Sequence, residues 1–354
     1  MIDRRALLAA GALAPLAARA QSPWKDYYAA GTKQRPVHFA GGDGATLAGT
    51  LLLPVWSELQ RVPGIVLIAG SGPTDRDGNN PLVPESQVGG RIDLLKEIAE
   101  LLAQAGIASL RYDKRGIGGS TPRPAGTLEK QEQFFAWANF VGDVTAAHRE
   151  LLTHDEIKPY ATAFLGHSEG GLLAIAAATA MRTAAPAPGK RHDLHGLVLA
   201  ATPGLPVADI VRAQIARSAP SLLAPAERTI AAVMATGHVP ADQPRELQAL
   251  FPPYSGPFLQ SLLAFDPATM LGRLDLACLI VQGAADQQVV PMADVQPLID
   301  ALGRRAAPGE AVILPAVSHN LKHVTGPGDP GFAGPLAPAV ADTLVAWLKP
   351  LLGA

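Results

Sequence analysis

The sequence predicts an α/β fold, with a mostly parallel central sheet flanked by helices and a helical cap insertion. Three observations predict it. Short β-branched runs alternate along the chain with segments whose apolar residues recur at helical spacing. The central runs are apolar throughout rather than alternating, as strands buried on both faces are. From 205 to 274 the alternation stops and only helical patterns occur, which fits a cap laid over the end of the sheet.

The elements follow in order. Residues 36–54 give two apolar-alternating runs around Gly-Gly-Asp-Gly, a hairpin signal. "GIVLIAG" (64–70) reads as a buried strand, 91–106 as a helix stopped by a glycine, and 107–113 as the next strand. A helix is expected over 134–154, a strand over 161–166, a helix over 170–182 and a strand over 196–202. After the cap come a strand at 277–283, a helix at 292–303, a strand at 311–316 and a last helix at 336–349. The Pro/Ala/Gly stretch 183–193 reads as a surface loop. The core therefore divides into 21–204 and 275–354, with the cap at 205–274 between them.

Residues 1–20 differ in kind. Arg4 and Arg5 precede a short apolar run broken by Pro15, and Ala18-Arg19-Ala20 is a small-x-small cleavage pattern. The run falls short of the ~20 apolar residues that span a bilayer. It reads as an export signal cleaved after Ala20, with a soluble product in the periplasm or outside the cell and no stable membrane insertion. The paired arginines suit a twin-arginine signal and an ordinary secretory one equally.

The composition is that of a folded protein: 48% hydrophobic and 17% charged over 354 residues. Lys and Arg number 29 against 31 Asp and Glu, and no basic run occurs, which argues against nucleic acid as a partner. The single cysteine, Cys278, excludes an internal disulfide and reads as a buried strand thiol.

Chemistry concentrates at Gly166-His167-Ser168-Glu169-Gly170, where a strand turns at once into a helix. Such a turn strains the middle residue and stands its side chain clear at the carboxyl edge of the sheet, with glycines giving the two elements room. The N–H of Glu169 opens the helix and is free to donate to an oxyanion. A serine nucleophile needs a base, and the base needs a group to hold it. Later loops offer Asp286, just after one strand, and His319, just after the next. Asp113 also ends a strand and is the rival acid.

These pieces resemble the α/β-hydrolase superfamily, specifically its bacterial esterase and serine-aminopeptidase-like (S33-type) branch. The resemblance rests on "LIAGSGPTDRDG", "RYDKRGIGGS", "GHSEGG", "GAADQQV" and "SHN", and it spans the chain from about Pro36 onward. It implies the α/β-hydrolase fold, with Ser168 as nucleophile, His319 as base and then acid, Asp286 orienting His319, and an oxyanion hole of the Ser71 and Glu169 N–H groups. Many relatives carry histidine before the glycine of the oxyanion loop, where this chain has Ala69. The resemblance implies a serine hydrolase, foremost a carboxylesterase acting on a small-molecule ester, without a cofactor. A serine aminopeptidase-like enzyme on the same triad, and a non-catalytic binding protein of the same fold, are the alternatives; the intact triad speaks against the latter.

Other polar residues have plainer readings. His167 reads as a residue that packs beside the site or supports it from behind, and His148 as a solvated helix residue. "HNLKH" lacks the glutamate of a zinc helix, and "DRDGNN" fails the spacing of a calcium loop, so no metal is expected. Asp75, Arg76 and Asp77 are expected to bond locally, and Asp113 and Arg115 to build a structural turn. Glu169 either tunes the site or forms a salt bridge.

Overall fold

The computed structural model describes residues 32–354 apart from 55–56, 58–59, 86, 88–90, 184–193 and 327. The export signal read at 1–20, and nearly all of the loop read at 183–193, lie outside the described residues. Strands β1 (Thr32–Ala40) and β2 (Thr46–Pro54) form the expected antiparallel hairpin, with Val37 opposite Gly49. They continue into β3 (Val62–Ile68), β4 (Ala108–Tyr112), β5 (Ile157–His167), β6 (Leu194–Ala200), β7 (Ala277–Gly283) and β8 (Gly309–Leu314). The eight strands make one sheet in the order β1-β2-β4-β3-β5-β6-β7-β8. β2 pairs antiparallel with β4, and every pairing from β4 to β8 is parallel.

β3, β4 and β7 are buried at every residue, which is why their sequences do not alternate. Successive side chains still part to opposite faces. Val66 and Ile68 enter one core with Val144, Ala147 and Leu151 of helix α3 (Trp137–Leu152). Ile65 and Leu67 enter the other with Ile98 and Leu102 of α1 (Leu94–Gln104) and Leu344 and Leu348 of α10 (Pro338–Leu352).

Two helices differ from the periodic reading. The helix expected at 134–154 is two: α2 (Leu128–Phe134), N-capped by Thr127, then α3. At the break, Ala136 is non-helical, Arg115 donates to the Phe134 carbonyl at 2.8 Å, and Asn139 donates to the Gln133 carbonyl at 2.8 Å. Side chains thus take carbonyls that a continuous helix would have used. The helix expected at 292–303 opens with a π-helical turn, Pro291–Val295, before α9 (Gln296–Gly303). Pro297 has no N–H to close an ordinary turn there.

α4 (Glu169–Thr183) follows β5 directly. Between β6 and β7 lie α5 (Val207–Ser218), α6 (Leu223–Thr236), α7 (Gly256–Leu263) and α8 (Pro267–Gly272). Ile215, Ile230, Val233, Phe251 and Leu263 gather there into a core of their own. No helix among the described residues is long and apolar enough to cross a membrane.

His148 corrects the sequence reading. It is buried, bonds Thr162 Oγ1 at 2.8 Å through Nε2, and meets Phe164 edge-on. Burial, aided by Arg149, lowers its pKa to about 4. It extends the stripe Val144, Ala147, Leu151 that faces the sheet, so the expectation of a solvated residue fails.

Candidate active site

The site lies at the carboxyl ends of the parallel strands. β5 ends at His167 and α4 starts at Glu169, leaving Ser168 alone in the turn with φ +54°. A non-glycine residue in that region is strained and is held only by its surroundings. Here the Ser168 N–H donates to the Ala200 carbonyl at 2.8 Å, and its own carbonyl accepts from Gly171 at 2.9 Å. A Cβ on Gly166 would run into the Gly170 carbonyl, and one on Gly170 into that of Ile68. The flanking glycines are therefore required by close approach of backbone.

Asp286 sits in the loop after β7 and is almost wholly buried. Its Oδ1 accepts the N–H groups of Gln288 at 2.8 Å and Val289 at 2.9 Å. Its Oδ2 accepts Nδ1–H of His319 at 2.8 Å and Nε2–H of Gln282 at 2.9 Å. Burial works to raise the carboxyl pKa, but the bonds from His319, Val289 and Gln282 and the charge of His319 outweigh it and hold it below the usual value. With Nδ1 donating to Asp286, Nε2 of His319 is the nitrogen left to take a proton. The loops carrying these groups are sewn together: Ala284 donates to the Leu314 carbonyl at 2.8 Å and Ala285 to that of Val317 at 2.9 Å.

His167 ties this pair to the elbow. Its Nε2 donates to the His319 carbonyl at 2.8 Å, and the two rings lie 4.9 Å apart between centroids. A carbonyl only accepts, so the proton of His167 is on Nε2. Burial, with His319 beside it, lowers its pKa to about 3, so it stays neutral. The residue before Ser168 thus anchors the backbone of His319, the supporting one of the two roles read for it. A polar ring between a buried strand and a strained turn must find a partner, and that requirement was the available signal.

The loop after β3, expected to supply an oxyanion donor, passes against the elbow: a Cβ built on Gly70 would lie 3.4 Å from Ser168 Cβ and 3.1 Å from His167 Nδ1. Thr74 Oγ1 donates to the Ser71 carbonyl at 3.0 Å. Neither the Ser71 nor the Glu169 N–H has an acceptor among the described residues. In place of a histidine brace, the buried Lys114 donates to the Gly70 carbonyl at 2.5 Å and to Glu169 Oε1 at 2.8 Å. Glu169 therefore forms a salt bridge.

Asp113 is engaged elsewhere. Arg76 grips it from Nε at 2.9 Å and Nη2 at 2.6 Å, and Gly119 N–H adds a bond at 2.8 Å. Arg76 also reaches the Gly49 carbonyl, so it is not confined to its own loop as expected. Asp75 does bond locally, to the N–H groups of Asp77 and Asn79. Arg115 is wholly buried between Asp43 and Asp143, a structural ion cluster. Cys278 is buried, and burial pushes its thiol up to about 12.

At one sheet edge the arrangement holds a hydroxyl on a strained backbone, an imidazole backed by a carboxylate, and two N–H groups without an acceptor among the described residues. A family model described as serine aminopeptidase, S33, matches residues 88–250. Esterase EstD of Thermotoga maritima is 26% identical over 246 residues, covering 69% of this chain and 50% of that protein. The match thus spans half the length of that curated relative. Among solved structures, an esterase of Pyrococcus furiosus superposes with TM-score 0.56 at 15% identity, covering 95% of this chain and 97% of its own. The α/β hydrolase GrgF of a Penicillium species gives 0.55 at 17%, covering 91% and 100%.

Proposed function

The chain belongs to the α/β-hydrolase superfamily, and from that premise we propose that it is a serine hydrolase cleaving small to medium carboxylic esters through an acyl-enzyme. The observation that carries this reading is the Asp286–His319 bond, with the His319 carbonyl anchored to His167, the residue beside the strained Ser168. In this reading Ser168 Oγ attacks the ester carbonyl and His319 Nε2 takes its proton. Asp286 holds the tautomer and faces the imidazolium that forms. The N–H groups of Ser71 and Glu169 receive the oxyanion, each such donor lowering the barrier by about 3–4 kcal/mol. His319 then protonates the departing alcohol, and water attacks the acyl-enzyme by the same relay in reverse.

The ester preference is supported by the named relatives and by an apolar cluster that reaches the helix after the elbow. Trp137 packs on Phe258 and Phe265, both at 5.6 Å between centroids, and all three pack against a cluster that includes Leu172, one turn into α4. We read the helices between β6 and β7 as a cap that supplies Phe258 and Phe265 to an apolar acyl pocket. An aminopeptidase-like enzyme on the same residues is the second reading, favoured by the family model over 88–250. Short p-nitrophenyl esters assayed beside aminoacyl anilides separate the two. Turnover of the esters is expected, and turnover of the anilides alone refutes the ester reading. Ser168→Ala is expected to abolish ester turnover with the fold intact. The export signal at 1–20 remains part of the proposal, and amino-terminal sequencing of periplasmic protein, expected to begin at Gln21, tests it.

A further inference from the structure

We propose that Lys114 is a positioning residue for the oxyanion hole, aiming the Ser71 N–H and fixing Glu169, whose N–H is the other donor. The inference rests on the serine-hydrolase reading and extends it to a residue outside the triad. The Lys114 side chain is 7% exposed and that of Glu169 11%. The ammonium bonds the Gly70 carbonyl at 2.5 Å and Glu169 Oε1 at 2.8 Å, and lies 5.8 Å from the centre of the Phe140 ring. Its own backbone N–H bonds the Thr74 carbonyl at 3.4 Å, further along the same oxyanion loop.

The C=O of Gly70 and the N–H of Ser71 are the two ends of one peptide unit. That unit is planar and trans, so its two ends point in opposite directions. An ammonium holding the carbonyl on the buried side turns the N–H the other way, out of the core, where Ser71 is exposed. A cation on the carbonyl also polarises the amide and makes its N–H a stronger donor. The second bond of Lys114 fixes Glu169 and neutralises a carboxylate that would oppose a developing oxyanion nearby. One side chain thereby sets both donors and the local charge. Stability alone does not explain it, since a buried ion pair gains little over a well-packed apolar pair.

The test compares wild type with Ser168→Ala, Lys114→Met, Lys114→Arg and Glu169→Gln. Fluorophosphonate labelling, thermal unfolding, p-nitrophenyl butyrate kinetics and inhibition by a trifluoromethyl ketone are read for each. Label is expected on wild type and absent from Ser168→Ala. Lys114→Met is expected to lose about 10- to 100-fold in kcat, short of the ~10²–10³ that outright removal of a donor costs, with KM little changed. Its ketone affinity is expected to fall in step with kcat/KM, which a loss of packing alone does not produce. Lys114→Arg, which keeps the charge and donors, recovers part of the rate, and Glu169→Gln shows a smaller loss of the same KM-neutral kind. If Lys114→Met does not fold, Lys114→Arg and Glu169→Gln decide, and wild-type kcat in both overturns the proposal. A folded, labelled Lys114→Met with wild-type kcat overturns the role of the lysine and leaves the serine reading standing. Wild type that takes no label at Ser168 overturns both.

Discussion

Replacing Asp286 by Asn exchanges one carboxylate oxygen for an NH2 group at nearly constant shape. The native Oδ1 serves the two backbone donors of Gln288 and Val289, while Oδ2 serves His319 Nδ1–H and Gln282 Nε2–H. An Asn keeps its oxygen on the backbone pair and sets its NH2 against two other donors. His319 escapes that clash by moving its proton to Nε2, which then cannot take the Ser168 proton as the proposed mechanism requires. A wrong tautomer of this kind costs ~10⁴ in kcat, or ~5.5 kcal/mol of barrier. The assay is kcat and KM on p-nitrophenyl butyrate for Asp286→Asn beside Asp113→Asn. Asp113 is expected to matter to stability instead, because its oxygens hold Arg76 and Gly119. The Asp286 carboxyl is held below its ordinary pKa in the fold. Its stabilising contribution is therefore present above the unfolded value near 3.9 and lost as pH falls through the folded one, so the variant's stability should be flatter there. An Asp286→Asn variant keeping about a tenth or more of wild-type kcat refutes the tautomer reasoning. A larger loss in Asp113→Asn means the acid is the wrong one.

Two further outcomes are expected away from the reacting groups. His148 has its pKa lowered from 6.5 to about 4, so its stabilising effect is complete above pH 6.5 and is lost as pH falls toward 4. That loss is roughly 3 kcal/mol at ~1.36 per unit, and urea unfolding of His148→Leu across this window should show a shallower dependence on pH than wild type. An equal slope in both refutes the assignment. Cys278 is buried, with its thiol pushed up to about 12, so Ellman's reagent should leave it untouched in the native protein and react only on unfolding. Rapid labelling of folded enzyme contradicts its place in β7.

Strand and helix order was legible because parallel strands buried on both faces and helices covered on one face leave different periods in the sequence. The triad candidates were legible because each follows directly on an apolar run, and loops after parallel strands share one edge. Lys114 was not. It stands between Asp113 and Arg115, and lysines are solvated by default; it is buried among Gly70, Glu169 and Phe140, which only the tertiary fold brings to it. His148 was legible in principle, since it completes a 144, 147, 148, 151 stripe. Reading its polarity instead of its phase misplaced it. The break at 135–136 depends on Arg115 and Asn139 taking carbonyls of the helix end, a tertiary contact that no local period records.

The same topology explains why so many charges are buried at one end of this sheet. Gly70 follows β3, Lys114 β4, Ser168 β5, Asp286 β7 and His319 β8, and all five strands run parallel. These loops arrive with backbone groups that no strand satisfies, and side chains gathered at the same edge take several of them up. Lys114 answers Gly70, His167 answers His319, and Asp286 answers Gln288 and Val289. A buried polar group bonded to backbone is fixed by the chain itself rather than by a flexible side chain, so these anchors hold the proposed reacting groups with little freedom left to lose. Rearranging such a site at the moment of reaction would cost what solvent reorganisation costs in water, and the anchors remove that need in advance. On the proposed reading, the burial of Lys114, Glu169 and Asp286 therefore serves preorganisation around Ser168.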